Sequence, residues 1–408
     1  MKCRHCHTEL TLPLIDLGAA PPSNAYLTKQ TIHAPEKYFP LRVLVCTECW
    51  LVQTEDYAGA DELFSADYAY FSSFSTTWLK HAEQYVTDMA QRFALSAHSH
   101  IIEVAANDGY LLQYAKARGI PCLGIEPTTS TAGAARAKGI EIVEAFFGVK
   151  LAQQLAAQGK QADLTAANNV LAHVPDINDF VGGFTALLKP AGVATFEFPH
   201  LLRLVSENQF DTIYHEHYSY LSLTAVKRIF EHNGLSVFDV EELSTHGGSL
   251  RVYAQRKDSG VHEISQNVAK LLDREAAAGM TTPEFYAGFQ EYADKVKNDF
   301  LTFLLEARRT GKTVAGYGAA AKGNTLLNYA GVRPDLLPYV VDRNPAKQDK
   351  FLPGCRIPIV AEVHLRQTQP DYVVILPWNL REEVMVQLAY IREWGGRFVT
   401  SVPVLEVK

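Results

Sequence analysis

Twice along this 408-residue chain, short apolar runs alternate with stretches of helical periodicity. The first series places strands at 101–105, 122–125, 164–167 and 193–198, with helices at 110–118, 131–138 and 178–188 between them. The second series has strands at 313–316, 337–342, 372–376 and 398–401, with helices from about 323 and over 381–393. A strand that returns parallel to its predecessor needs a crossover, and the crossover helix covers a sheet face. The pattern predicts an α/β chain with two parallel sheets, the second smaller than the first. Residues 262–310, helical apart from a break near Thr281-Thr282-Pro283, form a connector between them. A helix over 76–96 precedes the first series, and strand candidates at 235–240 and 249–255 follow it.

The first 60 residues lack that rhythm. Prolines (Pro13, Pro21, Pro22, Pro35, Pro40) and short apolar runs predict strands and turns. A segment this small has a thin core. Two pairs, Cys3-x-x-Cys6 and Cys46-x-x-Cys49, stand 39 residues apart. Each pair offers two thiolates from a tight turn, and four thiolates complete a tetrahedral zinc shell. With no open position, such an ion is structural. Two disulfides are the competing use of four cysteines, and they suit a secreted chain better. His5 and His7 could replace a ligand, but four cysteines make them unnecessary. Cys122 and Cys355 stand isolated in apolar surroundings, as core fillers do.

Composition narrows the function. Hydrophobic residues make up 47% of the chain, enough for two or three cored domains. The net charge is -7 and no Lys/Arg run occurs, which argues against a nucleic-acid partner. Nothing like a signal segment follows Met1-Lys2, and no apolar run approaches bilayer length. The reading is a soluble, cytoplasmic protein with no membrane partner.

In a doubly wound sheet, ligands meet the carboxyl ends of the strands. After the first strand the chain reads Glu103-Val104-Ala105-Ala106-Asn107-Asp108-Gly109. An acid followed by alternate glycines marks many S-adenosylmethionine sites. Here Gly109 keeps a glycine position, while Ala105 and Asn107 fill the others. Glu126 ends the next strand, where a carboxylate can accept both ribose hydroxyls. Asn168 and Asn169 end the third and can line an adenine or methionine pocket. A nicotinamide cofactor is the rival, weakened by the incomplete Gly-x-Gly-x-x-Gly.

Tyr214-His215-Glu216-His217 concentrates a phenol, two imidazoles and a carboxylate, all able to hold or move protons. In the second sheet, Gly316-Tyr317-Gly318-Ala319-Ala320-Ala321-Lys322-Gly323-Asn324 joins a strand to a helix. Backbone N–H groups there, with Lys322 beside them, can hold a diphosphate. The spacing is not that of a P-loop, so triphosphate hydrolysis is not expected. Trp378 and Asn379 follow another strand at the same mouth. Trp378 either covers a base or packs.

With these motifs in order, the whole chain resembles the sugar C-methyltransferases that act on nucleotide-linked 4-keto-6-deoxy sugars, the tetronitrose C-3′-methyltransferase among them. The resemblance rests on the four-cysteine module, Tyr68-Ala69-Tyr70-Phe71-Ser72-Ser73, Glu103 to Gly109, Asn169 to Pro175, Tyr214 to His217, His246-Gly247-Gly248-Ser249-Leu250-Arg251, and the turn through Lys322-Gly323-Asn324. It implies a zinc-binding module over 1–60, a Rossmann-like class I methyltransferase sheet over 61–260, a helical connector over 261–310 and a Rossmann-like nucleotide-sugar-binding domain over 311–408. It further implies methyl transfer from S-adenosylmethionine to C3, in making a deoxysugar for an antibiotic or surface polysaccharide. By the same resemblance His217 is the base and Glu216 orients it or a neighbour. Tyr214 and His173 donate to the ketone oxygen, and Tyr68 closes the pocket. Cofactor contacts fall to Glu103, Ala105, Asn107, Asp108, Gly109, Glu126, Asn168 and Asn169, and substrate contacts to Gly318, Lys322, Asn324, Trp378 and Asn379. Cys3, Cys6, Cys46 and Cys49 hold zinc. The competing functions are a zinc-ribbon nucleic-acid methyltransferase and a nonenzymatic nucleotide-sugar binder. The nucleotide base and the oligomeric state stay open, a monomer being plausible.

Overall fold

The computed structural model describes residues 1–57 and 71–408. Tyr68, with its neighbours Ala69 and Tyr70, lies outside the described residues.

Strands β1 (Leu12–Ala20), β2 (Phe39–Val45) and β3 (Val52–Thr54) form an antiparallel N-terminal sheet. The central sheet holds β4 (Ile101–Val104), β5 (Cys122–Ile125), β6 (Glu141–Val143), β7 (Ala162–Asn168) and β8 (Leu188–Pro199). These five run parallel to one another. All four residues of β4 are buried, as expected for a strand covered on both faces.

Strand β9 (Ser219–Tyr220) leaves the central sheet and pairs antiparallel with β3, so it becomes the fourth strand of the N-terminal sheet. Strands β10 (Leu235–Leu243) and β11 (Ser249–Arg256) complete the central order β10-β11-β8-β7-β4-β5-β6. The sequence pattern marks this last pair as strands without a direction. Strand β11 runs antiparallel to both β10 and β8. The physical reason is the connection. Only Ser244 to Gly248 separate the two strands, which is too short for a crossover, and Gly247 and Gly248 turn the chain with φ of 89° and 110°.

The C-terminal sheet has β12 (Val314–Tyr317), β13 (Val340–Val341), β14 (Ile359–Val360), β15 (Tyr372–Ile375), β16 (Arg397–Thr400) and β17 (Glu406–Val407). Their order is β14-β13-β12-β15-β16-β17, parallel except for the edge strand β17. The connector is two helices, Gln266–Ala277 and Phe289–Arg309, with a short turn at Pro283–Phe285.

The cores cut across the sequence order. Helix Phe289–Arg309 buries Phe289, Ala293, Val296, Phe300, Leu304 and Ala307, one stripe at helical spacing. That stripe shares a continuous apolar cluster with Leu14, Ile15 and Leu17 of β1 and with Leu326 and Leu327 of helix Ala321–Tyr329. The N-terminal sheet is thus roofed by the C-terminal third of the chain. Its cysteines instead join the core of the central sheet, through Cys3, Cys46, Cys49 and Leu51.

Candidate active site

The four cysteine sulfurs converge within 4.8 Å of one another. Cys3 and Cys49 Sγ are 3.5 Å apart, and Cys6 and Cys46 Sγ 3.4 Å. A tetrahedral ion with Zn–S bonds of about 2.3 Å places its sulfurs ~3.8 Å apart, so the cage fits zinc. No cysteine is bonded to another. His5 is not among the converging ligands; its Nδ1 pairs with Asn178 Oδ1 at 2.8 Å, and Asn178 Nδ2 donates back to the His5 carbonyl at 2.9 Å. Beside it, Arg4 donates to the carbonyls of Pro175 (3.1 Å) and Thr54 (3.0 Å) and lies 5.2 Å from the Tyr218 ring centroid. The zinc module is therefore fastened to the loop that carries His217. Thr54 repeats the link, its N–H donating to the Tyr218 carbonyl (3.1 Å) and its Oγ1 to the His217 carbonyl (3.3 Å).

His217 has a defined tautomer. Its Nδ1–H donates to the Thr212 carbonyl at 2.9 Å. Its Nε2 is then a lone pair, which accepts the Tyr214 hydroxyl at 2.7 Å. Burial, then the neighbouring His173, hold its pKa well below that of an ordinary imidazole. His173 stands edge-on, 4.6 Å between ring centroids, and its Nδ1–H donates to the Glu216 carbonyl at 2.7 Å. Burial brings His173 down to about 4. Both rings are neutral at pH 7.

Glu216 does not orient His217. Its fully buried carboxylate turns the other way and accepts the Asn24 backbone N–H (3.3 Å) and Nδ2 (3.1 Å). Successive residues of a tight turn point in different directions, so sequence adjacency did not make the two side chains neighbours. Thr212 orients His217 instead. Glu216 acts on His173 only through its backbone carbonyl.

A cavity of about 370 Å³ joins the two parallel sheets at their strand ends. From the central sheet it is lined by Ala105, Asn107, Glu126, Asn168 and Asn169, and from the loop by Tyr214 and His217, with His173 beside them. The C-terminal sheet contributes Lys322, Lys347 and Asn379. The donor half fits S-adenosylmethionine. Glu126 is held by the N–H groups of Asn107 and Thr128, each at 2.9 Å, with its carboxylate at the cavity wall. Asn168 and Asn169 each keep a buried Oδ1 without a partner. Ala105, Asn107 and Gly109 all take positive φ (60°, 49° and 74°), so the turn keeps the alternating left-handed conformation of a glycine pattern without two of the glycines.

Other expected contacts lie behind the wall. Glu103 is fully buried beneath the turn, and Asp108 faces Lys138 at 3.5 Å. Gly109 packs on the helix behind, where a Cβ would come within 2.4 Å of Ile140. None of the three lines the cavity. Gly318 and Asn324 also stand off it, Gly318 against the Pro377 ring and Asn324 in the core. Trp378 packs rather than covers a base, because its indole is buried and its Nε1–H donates to Asp211 Oδ2 at 2.8 Å. Glu103 lies within β4, whose four residues are all buried, and Asn324 and Trp378 sit on helical turns that face the core.

Asn24, Lys347 and His246 are among the cavity residues that had no assigned role in the sequence reading. Asn24 and Lys347 carried no local signal. His246 did, preceding the glycine pair of the β10–β11 turn. It takes φ 54°, and its Nε2 meets Asn169 Nδ2 at 3.2 Å. Its loop is anchored by Thr245 Oγ1 donating at 2.9 Å to the buried Glu197, which also accepts His81 (2.8 Å) and Arg251 (3.0 Å).

Comparisons with known proteins bear on the family of the chain. Three family models match in chain order: a zinc binding domain over residues 3–64, a methyltransferase domain over 78–240 and a C-methyltransferase C-terminal domain over 244–403. The C-methyltransferase NovU of Streptomyces niveus is 33% identical over 402 residues, covering 98% of this chain and 95% of its own. Among solved structures, the magnesium protoporphyrin IX methyltransferase of Synechocystis PCC 6803 with bound SAH aligns over 44% of this chain and 83% of its own at 17% identity, with a TM-score of 0.35. The PH0226 protein of Pyrococcus horikoshii aligns over 46% and 95% at 13% identity, with a TM-score of 0.39. Among the described residues no helix is long and apolar enough to cross a membrane. A four-sulfur cage, a donor pocket at the carboxyl ends of a Rossmann-like sheet and a relative matched almost end to end place the chain in the family of zinc-containing, S-adenosylmethionine-dependent C-methyltransferases.

Proposed function

We propose that the protein methylates C3 of a nucleotide-linked 4-keto-6-deoxy sugar, with His217 as the base. The observation that carries this is the state of His217. It is a neutral imidazole whose Nδ1–H is fixed by Thr212 and whose Nε2 lone pair sits in the cavity that both sheets share. A C–H next to a ketone is acidic because its electron pair can pass to oxygen. His217 Nε2 takes the proton, the C–H pair becomes the enolate double bond, and the carbonyl π pair moves to oxygen. S-adenosylmethionine supplies the electrophilic methyl group that the carbon then receives. Tyr214 caps the base in the free protein. Turning its hydroxyl from Nε2 to the ketone oxygen uncovers the lone pair and places a donor on the developing charge. His173 has its Nδ1–H committed to the Glu216 carbonyl, so its Nε2 offers a lone pair and the donor role falls to Tyr214. The central sheet, within 61–260, binds the methyl donor. The C-terminal domain, 311–408, presents Lys322, Lys347 and Asn379 to the nucleotide-sugar.

His217→Asn tests the reading. The Asn amide takes the place of Nδ1 and keeps the bond to Thr212, but no base remains. We expect S-adenosylmethionine binding to persist, while methylation and solvent deuterium exchange at the acidic carbon fall by about 10²–10⁴-fold. Exchange at the wild-type rate would move the base elsewhere.

A further inference from the structure

We propose that Lys322 is a catalytic residue whose ammonium meets the ketone oxygen of the sugar and stabilises the charge that gathers there as the adjacent C–H is broken. This rests on the assignment of His217 as base. It departs from the sequence expectation that Lys322 holds a diphosphate.

The first ground is placement. Lys322 lines the same cavity as Tyr214 and His217 and stands near enough for its charge to act on the His217 ring, although it belongs to the C-terminal sheet. The second is the way its charge is held. Nζ donates to Asn379 Oδ1 at 3.2 Å and stands 4.5 Å from the Trp378 ring centroid, a cation–π contact. The nearby carboxylate, Asp211, is fully buried and spends Oδ2 on the Trp378 indole. Trp378 thus stands between the two charges. Asp211 keeps Lys322 protonated through the field without filling its donors. An ammonium has three N–H groups, and the one hydrogen bond to Asn379 leaves two for a ligand in the cavity. Burial lowers Lys322 to about 8 and raises Asp211 to about 6, so at pH 7 the pair is charged.

The third ground is the demand of the reaction. Burial and His173 make His217 a weaker base than free imidazole. Proton transfer to it creates an imidazolium and an enolate in a site of low polarity. Tyr214, whose hydroxyl already meets Nε2, is a neutral donor. A weak base can still remove the proton if a fixed cation lowers the energy of the oxyanion. Of the two lysines that line the cavity, Lys322 is the one whose charge bears on His217, while Lys347 donates to the Ala319 carbonyl at 2.8 Å and faces Asp342 at 3.8 Å. Lys322 transfers no proton in this step. The proton goes from carbon to His217 Nε2, and the electron pair ends on oxygen.

The test compares Lys322→Met with His217→Asn in the full-length, zinc-loaded enzyme, using the 4-keto nucleotide-sugar and S-adenosylmethionine. For Lys322→Met we expect kcat and deuterium exchange at the acidic carbon to fall together by about 10²–10³-fold. The KM for the nucleotide-sugar, and the Kd of a nucleoside diphosphate used as a probe, should change less than threefold. Near-normal kcat and exchange with a KM and probe Kd raised tenfold or more would assign Lys322 to the diphosphate and overturn the inference. If His217→Asn loses exchange while Lys322→Met keeps it, only the Lys322 proposal falls. If His217→Asn keeps exchange, the base assignment falls and this proposal with it. Lys322→Gln, checked for a wild-type melting transition, replaces the Met variant should that one fail to fold, and the same outcomes apply.

Discussion

Acid should destabilise this protein through its active site. His173 and His246 are both neutral in the fold, each brought to about 4, chiefly by burial, from an ordinary 6.5. The unfolded chain protonates both near 6.5, so below that pH it binds more protons than the native state. Stability is therefore lost as pH falls from 6.5, and the loss levels off near 4. Between pH 7 and pH 5 the linkage costs about 2 kcal/mol for each histidine, or roughly 4 kcal/mol for the pair. That is a large part of the ~5–15 kcal/mol that holds a typical native state. His173→Asn isolates one share. Its amide can still donate to the Glu216 carbonyl, as Nδ1 does now, but it does not titrate. Urea unfolding of both proteins at pH 7 and pH 5 measures the effect. The variant should lose about 2 kcal/mol less than wild type over that interval. Equal losses would show that His173 is not a buried neutral group, and would undercut the same argument for His217.

Two further predictions follow from the metal and donor sites. Cys46→Ser should reduce bound zinc well below one per chain by metal analysis and lower kcat more than the KM for S-adenosylmethionine, because β3 and Thr54 hold the backbone at His217 and Tyr218. Zinc loss with unchanged kcat would detach the module from catalysis. Glu126→Gln should weaken S-adenosylmethionine binding by about tenfold or more, the worth of a charge-assisted hydrogen bond, read by calorimetry. An unchanged Kd would place the ribose elsewhere.

Local pattern made much of this fold legible. Strands β4, β5 and β7 and helices Leu112–Ala117 and Thr129–Ala137 were visible because their apolar residues repeat with the period of each element, whereas three-residue β6 and helix Val149–Ala157 were not read. The cysteine cage was legible because spacing alone fixes what two knuckles can do. The cofactor turn was half legible. Ala105 and Asn107 hide the glycine pattern, but their backbone adopts it, at a cost of about 1–2 kcal/mol for an alanine in that region. What sequence could not carry was side-chain direction and long-range pairing. Glu216 neighbours His217 in sequence and Asn24 in space. Trp378 follows a strand mouth but closes over Asp211. The pairing of β3 with β9 joins residues more than 160 positions apart, and two-residue Ser219–Tyr220 has no strand signature of its own. Each depends on tertiary packing, which overrides local preference.

The sharing of the N-terminal sheet has a consequence for biosynthesis. As the chain leaves the ribosome, β1 to β3 emerge first, but the strand that completes their sheet lies near residue 220 and the helices that roof it lie beyond residue 289. Until then a nascent β3 edge and an apolar face stay open to water and to other chains. Residues 1–57 expressed alone would meet the same exposure, whatever metal is provided. The cysteine cage can tie the knuckles early, but a module translated before its partners is among the last that can be finished.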